Sequence, residues 1–326
     1  MFPIFVLLIL STAAAEVFEK PYYDLSDAHN LFKEFVQKYG KAYNSEEYSQ
    51  RLEVFKESIV EINERNAMHA ETVFDITQFA DLTFEERRSL SGSLVEDLEM
   101  VTELELGLEE ITAPEEWDWR DQGIVTPVKS QMGCGSCWIF ASIGVIESQY
   151  AMKHKKLLSF SEQQGVDCIV QEHVPYNCAG GLPYLVMDYH KKVGVVLEKD
   201  YPYRGKQSAC QVDPTKVVTK VMDYTVYQTV DEETLKQLVY QMGPLAVAID
   251  DADILFHKKG IVYPHDCKSK PTHAILLVGY GVENGTKYWI LKNSFGTDSG
   301  EQGYVRLVRG INACAIRTQA TTCTVA

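Results

Sequence analysis

Gln131-Met132-Gly133-Cys134-Gly135-Ser136-Cys137-Trp138 leads into an apolar run that ends near Lys153. Within it Trp138, Ala141 and Val145 mark one helical stripe, and Ile139, Ile143 and Ile146 mark the stripe beside it. So wide an apolar surface predicts a helix buried on most sides, with Cys137 in its first turn. A thiol there lies at the positive end of the helix field, and a nearby imidazolium would favour the nucleophilic thiolate further. Cys134 and Cys137 also have the spacing of a redox pair or of half a zinc site. A redox pair would need the two bonded to each other, and zinc would need a second close pair, which Cys168 and Cys178 do not supply.

A cysteine nucleophile needs a base, and a hairpin further along provides one. Runs of strand character at His273 to Tyr280 and Lys287 to Asn293 flank Glu283-Asn284-Gly285, and Asn-Gly is a strong turn signal. A loop centred on Glu283 predicts His273 directly opposite Asn293 on one side of the sheet. The Asn oxygen then accepts from one ring nitrogen and leaves the other for the thiol. Gln131, six residues before Cys137, can offer its side-chain amide to a developing oxyanion beside the Cys137 N–H. The other five histidines past Pro114, His154 and His265 among them, lack such partners and are expected at the surface.

Outward from these motifs, the 326 residues divide by charge. From Glu16 to Ala113 there are 23 acidic and 9 basic residues, and from Pro114 onward 23 and 22. This places a boundary near Pro114. Residues 1–15, an apolar stretch ending in Ala13, Ala14 and Ala15, read as a signal peptide too short to span a bilayer. Between Ser26 and Asn66 apolar residues at helical spacing, broken at Gly40, predict two helices. A short strand is expected over Thr72 to Phe79, an acidic linker over Val95 to Glu110, and a further strand at Leu245 to Ile249. A helical half followed by a strand-rich half implies α+β layers with a cleft between them. All eight cysteines lie in the last 200 residues, which suits an oxidising compartment. With one a reactive thiol, seven remain and one is left over; arithmetic chooses no pairing.

Taken together, residues 25 to 326 resemble a papain-family, cathepsin L-like preproenzyme. Asp118-Trp119-Arg120, Val125-Thr126-Pro127-Val128-Lys129, Ser161-Glu162-Gln163, Asn177-Cys178-Ala179-Gly180-Gly181, Thr272-His273-Ala274 and Lys292-Asn293-Ser294 follow the family order around the cysteine motif. Glu47, Arg51, Phe55, Ile62 and Asn66 fall on its helical inhibitory motif, with Ser58 where Asn is usual. Phe79 and Asp81 fit a second motif, in which Asp75 and Thr77 replace Gly and Asn. Phe295 and Ser299 stand where the family usually has Trp.

The resemblance implies a signal peptide (1–15), an inhibitory propeptide (16–113) and a mature peptidase (114–326). The mature part would have a helical left domain and a β-barrel-like right domain, with the active site in the cleft between. It implies a cysteine-type endopeptidase working through a thioester acyl-enzyme; the charge asymmetry on its own predicts maturation at acidic pH, as partnered carboxylates of the acidic region are protonated. The rival is a catalytically impaired homologue acting as a binding protein, kept open by Phe295 and Ser299. Disulfides Cys134 to Cys178, Cys168 to Cys210 and Cys267 to Cys314 are implied, leaving Cys323 odd. Substrate would contact Gly180, Gly181 and Thr272, with Leu182, Pro183, Ala248, Pro271 and Gln319 around the pocket for the side chain two residues before the scissile bond. No metal or cofactor is implied. The partners implied are polypeptide substrates, the chain's own propeptide and protein inhibitors of the cleft. Neither nucleic acid nor a membrane span is expected, and the chain reads as a monomer of the secretory pathway, lysosome or digestive lumen. Asn284-Gly285-Thr286 is a glycosylation sequon on the hairpin turn.

Overall fold

In the computed structural model, which describes residues 19–92, 111–170, 177–267 and 270–326, the acidic region is built on α1 (Ala28–Lys38) and α2 (Ser45–Met68). The Asn44 side chain accepts from the N–H groups of Glu46 and Glu47 at 3.0 Å, and those two carboxylates suit the positive first turn. Gly40, at φ +61°, makes the break after α1. The faces the two helices share are apolar: Phe32 and Phe35 meet Phe55, Ile59 and Ile62 in a core of their own. Then come β1 (Val73–Phe74), shorter than the strand expected over Thr72 to Phe79, and α3 (Phe84–Leu90), started by a Thr83–Glu86 capping box. The leader expected over 1–15 and the linker over Val95 to Glu110 lie outside the described residues.

Past the boundary the order is β2 (Trp117–Asp118), α4 (Cys137–His154), α5 (Glu162–Cys168), α6 (Pro183–Val193), β3 (Val221–Gln228), α7 (Glu232–Met242), β4 (Leu245–Ile249), β5 (His257–Lys259) and β6 (Ile261–Val262). It continues with β7 (His273–Glu283), β8 (Thr286–Lys292), β9 (Tyr304–Val308) and β10 (Gln319–Val325). The main sheet runs β3-β10-β4-β7-β8-β9-β6, with β2 on β7, and every pairing is antiparallel except β6 with β9. One core lies under α7; the other packs α4 against β4, β7 and β10. As its two apolar stripes predict, α4 is buried almost all round. Disulfides join Cys134 to Cys178, Cys168 to Cys210 and Cys267 to Cys314.

The two regions meet along a long seam. β1 pairs antiparallel with β5, and Phe295, Leu255 and Phe256 complete the core of the acidic region. At that seam Arg65 of α2 is buried, with Nη1 2.6 Å from Asp253 and Nη2 2.7 Å from Asp266.

Two expectations are corrected here. The hairpin turn is the two-residue Asn284-Gly285, with φ of +51° and +82°, closed by Glu283 opposite Thr286. A bulge between Leu277 and Gly279 shifts the ladder, so Leu276 faces Lys292, while His273 pairs with Ile249 and not with Asn293. Nor are the other histidines all at the surface. His190 and His257 are fully buried, their rings hydrogen-bonded to the Gly194 and Gly260 carbonyls at 2.8 Å. Burial pushes His190 down to about 4.

Candidate active site

Cys137 opens α4 and is fully buried; the N–H of Ala274 in β7 points at its Sγ, 3.4 Å away. That contact brings the helix start to the residue beside His273. The Nε2 of His273 lies 2.9 Å from Asn293 Oδ1, so the sequence-predicted pair does meet, as diagonal neighbours on one face. Nδ1, the other ring nitrogen, is buried and has no hydrogen-bond partner among the described residues. Burial opposes charge on this ring, yet the Cys137 sulfur, Asp251 and the Asn293 oxygen outweigh it and raise His273 to about 9. Phe295 covers the ring at a centroid distance of 5.0 Å, as expected of an aromatic in that position.

Gln131 is held on both sides of its amide. Its Oε1 accepts from Ser294 Oγ at 2.6 Å, while Nε2 donates to the carbonyls of Cys134 at 2.9 Å and Leu90 at 3.0 Å. The backbone N–H of Ser294 also donates to Asn293 Oδ1 at 2.8 Å, so one serine orients both amide side chains. Its sequence signal was only the Lys292-Asn293-Ser294 string.

Leu90 belongs to a stretch of the acidic region, Ser89 to Gly92, that crosses the cleft. Gly181 donates its N–H to Gly92 O at 2.8 Å, and a Cβ on Gly92 would lie 1.8 Å from Gly135 O. A Cβ on Gly181 would run into the Trp138 ring at 2.6 Å. Backbone passes directly over backbone here, and only glycine permits that approach. Gly180, at φ +119°, leaves a Cβ position 2.7 Å from Gly92 O.

Of the expected pocket residues, Leu182 and Pro183 start α6 beside Gly181, and Ala248 pairs with Ala274. Ala320 pairs with Val247, which puts Gln319 next to Ala248; Gln319 is buried and its Oε1 has no partner. Pro271 is buried, and Thr272 donates to Asp251 Oδ1 at 2.9 Å. Asp251 itself escaped sequence reading: it sits in an Asp250-Asp251-Ala252-Asp253 run that reads as a surface turn. The odd Cys323 is buried in β10, its thiol pushed up by burial alone. Ser299 is buried, and Asn284 is exposed at the hairpin tip.

The papain family cysteine protease profile matches residues 113–324, and the cathepsin propeptide inhibitor domain profile matches residues 32–86. The chain belongs to the papain family of cysteine proteases. Among relatives, the viral cathepsin of Antheraea pernyi nuclear polyhedrosis virus is 41% identical over 303 residues, covering 91% of this chain and 92% of that one. The viral cathepsin of Heliothis zea nuclear polyhedrosis virus is 39% identical over 315 residues, covering 90% and 84%. Among solved structures, digestive procathepsin L 3 of Tenebrio molitor larval midgut superposes with a TM-score of 0.82 at 32% identity, covering 91% of this chain and 99% of that one. Recombinant stem bromelain precursor gives 0.80 at 31% identity, covering 91% and 98%. The chain is thus a papain-like cysteine peptidase carrying an intramolecular inhibitor domain, and its α+β fold is that of the procathepsins. Among the described residues no helix is long and apolar enough to cross a membrane.

Proposed function

We propose that this papain-family chain is a latent endopeptidase in which Cys137, His273, Asn293 and Gln131 carry the reaction. The Cys137 thiolate attacks the scissile carbonyl carbon. Gln131 Nε2 and the Cys137 N–H stabilise the oxyanion, as preorganised donors do. As the tetrahedral adduct collapses, protonated His273 gives its Nδ1 proton to the departing amine, leaving a thioester on Cys137. Neutral His273 then takes a proton from water, the resulting hydroxide attacks the thioester, and acid and thiolate leave. Asn293, on Nε2, keeps Nδ1 turned to the sulfur.

The observation that supports this most directly is the Leu90 carbonyl on Gln131 Nε2: the donor proposed for the oxyanion already holds a peptide carbonyl from the inhibitory segment. Substrate would replace that segment on Gly180 and Gly181, and Gln319 at the pocket base would suit medium apolar or polar side chains two residues before the scissile bond. The match beginning at residue 113 supports a mature domain from about Pro114, and the inhibitor-domain match over 32–86 supports a propeptide ahead of it, which we place over 16–113 behind a leader over 1–15. We also propose entry to the secretory pathway, glycosylation at the exposed Asn284, and maturation by acid.

A labelled peptidyl epoxide and mass spectrometry of acidified protein test the reading. We expect one label, on Cys137, lost in Cys137→Ser, and cleavage between Val95 and Ala113. A processed, folded protein that takes no label and cuts no peptide would establish the inert binding homologue instead.

A further inference from the structure

Among the described residues, the propeptide makes a polar side-chain contact in the cleft that involves none of the proposed catalytic groups. Ser91 Oγ donates to Asp251 Oδ2 at 2.7 Å, while Oδ1 of the same carboxylate is held by Thr272 Oγ1 at 2.9 Å. Thr272 precedes His273 and stays with the peptidase, whereas Ser91 leaves with the propeptide. Maturation therefore strips one carboxylate oxygen of its donor and leaves it facing the groove. In the zymogen Asp251 is 5% exposed, with Ser91 of the segment crossing the cleft hydrogen-bonded to it.

The position of Asp251, two residues past the end of β4, fixes which part of a substrate it meets. Ala248, on the wall assigned to the acyl side, pairs with Ala274, whose N–H points at the Cys137 sulfur; Ile249 pairs with His273; Asp251 lies beyond. Passing along the strand from the pocket wall to Asp251 thus crosses the level of the histidine that protonates the leaving amine. We infer that Asp251 forms an anionic subsite for the first residue of the leaving peptide and selects arginine or lysine there, with serine and threonine next. This rests on the catalytic reading above. The chemistry agrees with it, since the Asp251 carboxylate keeps Thr272 on Oδ1 and offers Oδ2 as an acceptor once Ser91 has left. A guanidinium or ammonium replacing Ser91 makes a charge-assisted hydrogen bond, stronger than the neutral one it displaces. A glutamate in that place meets repulsion.

The test uses acid-matured enzyme, with active sites counted by the labelled epoxide, and quenched fluorescent peptides that differ only in the first residue after the scissile bond. Arginine is compared with its neutral isostere citrulline, lysine with norleucine, and glutamate with glutamine. We expect kcat/KM to favour each cation by roughly tenfold, less as salt rises, and to disfavour glutamate. In Asp251→Asn, which keeps an oxygen for Thr272, the ratios fall to within about twofold of unity. Should that variant fail to mature, the wild-type arginine-to-citrulline ratio and its salt dependence decide. Wild-type ratios near unity, or ratios that survive in Asp251→Asn, overturn the inference while leaving the peptidase reading intact. Failure of wild-type enzyme to label or to cut any peptide overturns both.

Discussion

His273 is charged by its neighbours against its own burial. Cys137, Asp251 and Asn293 all stay with the peptidase on maturation, so the imidazolium persists until the pH rises through about 9 and is lost above it. Asn293→Ala removes one of the contacts that raise this value. The alkaline limb of the pH–kcat profile should move to lower pH, and kcat should fall roughly ten- to hundredfold, the worth of one hydrogen bond to a charged group. An unmoved limb would show that Asn293 does not hold this ring. The two unpaired thiols differ as sharply. Both are buried in the zymogen, but only Cys137 is covered by the propeptide, whereas Cys323 is enclosed by its own sheet. Iodoacetamide should modify neither in the zymogen, one after maturation and two in denaturant, as counted by mass spectrometry. Two reactive thiols in native mature enzyme would contradict this.

At the scale of elements, α2 does more than fill the core of the propeptide. Its last turns carry Arg65 across the seam to Asp253, whose carboxylate also accepts the backbone N–H groups of His265, Asp266 and Cys267 at 2.7 to 3.1 Å. Burial alone would raise Asp253, but these donors and Arg65 hold it below the ordinary carboxylate range. Breaking a buried pair costs 3 to 5 kcal/mol when the remaining charge is stranded. Asp253 keeps three backbone donors, so Arg65→Ala should weaken docking by about 3 kcal/mol, at the low end. The measurable outcome is self-processing at neutral pH, where the intact zymogen stays latent. A variant as latent as wild type would place the docking energy elsewhere, in β1–β5 or in the aromatic seam of Phe79 and Phe295.

At the scale of the whole molecule, the acidic propeptide and the near-neutral peptidase are coupled through protons. His69, at the end of α2, is lowered by burial and by His265, Arg65 and Lys20, with only Asp253 opposing, and its ring meets that of His265 edge-on at 5.6 Å. A released His69 returns to its ordinary 6.5, so below that pH the released state binds the proton first and docking weakens as pH falls. The carboxylates act lower down. Glu86, bound to Arg51 with Oε1 2.7 Å from Nη2, and Asp253 are both depressed. The stabilisation they give, Glu86 with Arg51 to the propeptide's own fold and Asp253 with Arg65 to docking, is present above their free values of 4.5 and 3.8 and is lost as pH drops through the bound ones. Release should therefore begin with histidine and finish with carboxylate. His69→Gln should keep its latency at neutral pH and move the midpoint of self-processing to lower pH, followed by the rate of cleavage between Val95 and Ala113. An unchanged midpoint would remove His69 from the trigger.

The candidate site was legible in the sequence because each proposed role needs a particular side chain, and the signals that place those side chains are local. Cys137 at a helix start, an Asn-Gly turn between two strands, and Gln131 at a fixed distance from the thiol all follow from short-range periodicity and turn preference. The two-residue turn reverses the parity that a loop centred on Glu283 would give, and the bulge at Leu277 to Gly279 reverses it back, which is why His273 and Asn293 still share one face. Their register was not legible, since one extra residue in a ladder leaves no mark in composition. Two buried histidines were missed for a related reason: the partners of His190 and His257 are backbone carbonyls, and a carbonyl has no sequence signature. The role of Asp251 is the clearest case of what only the tertiary structure decides. An aspartate in an acidic turn becomes part of the cleft because β4 ends beside β7, and because a serine 160 residues earlier in the chain is folded back onto it. Local sequence sets the conformations of segments, but contacts between segments so far apart depend on how the whole core closes.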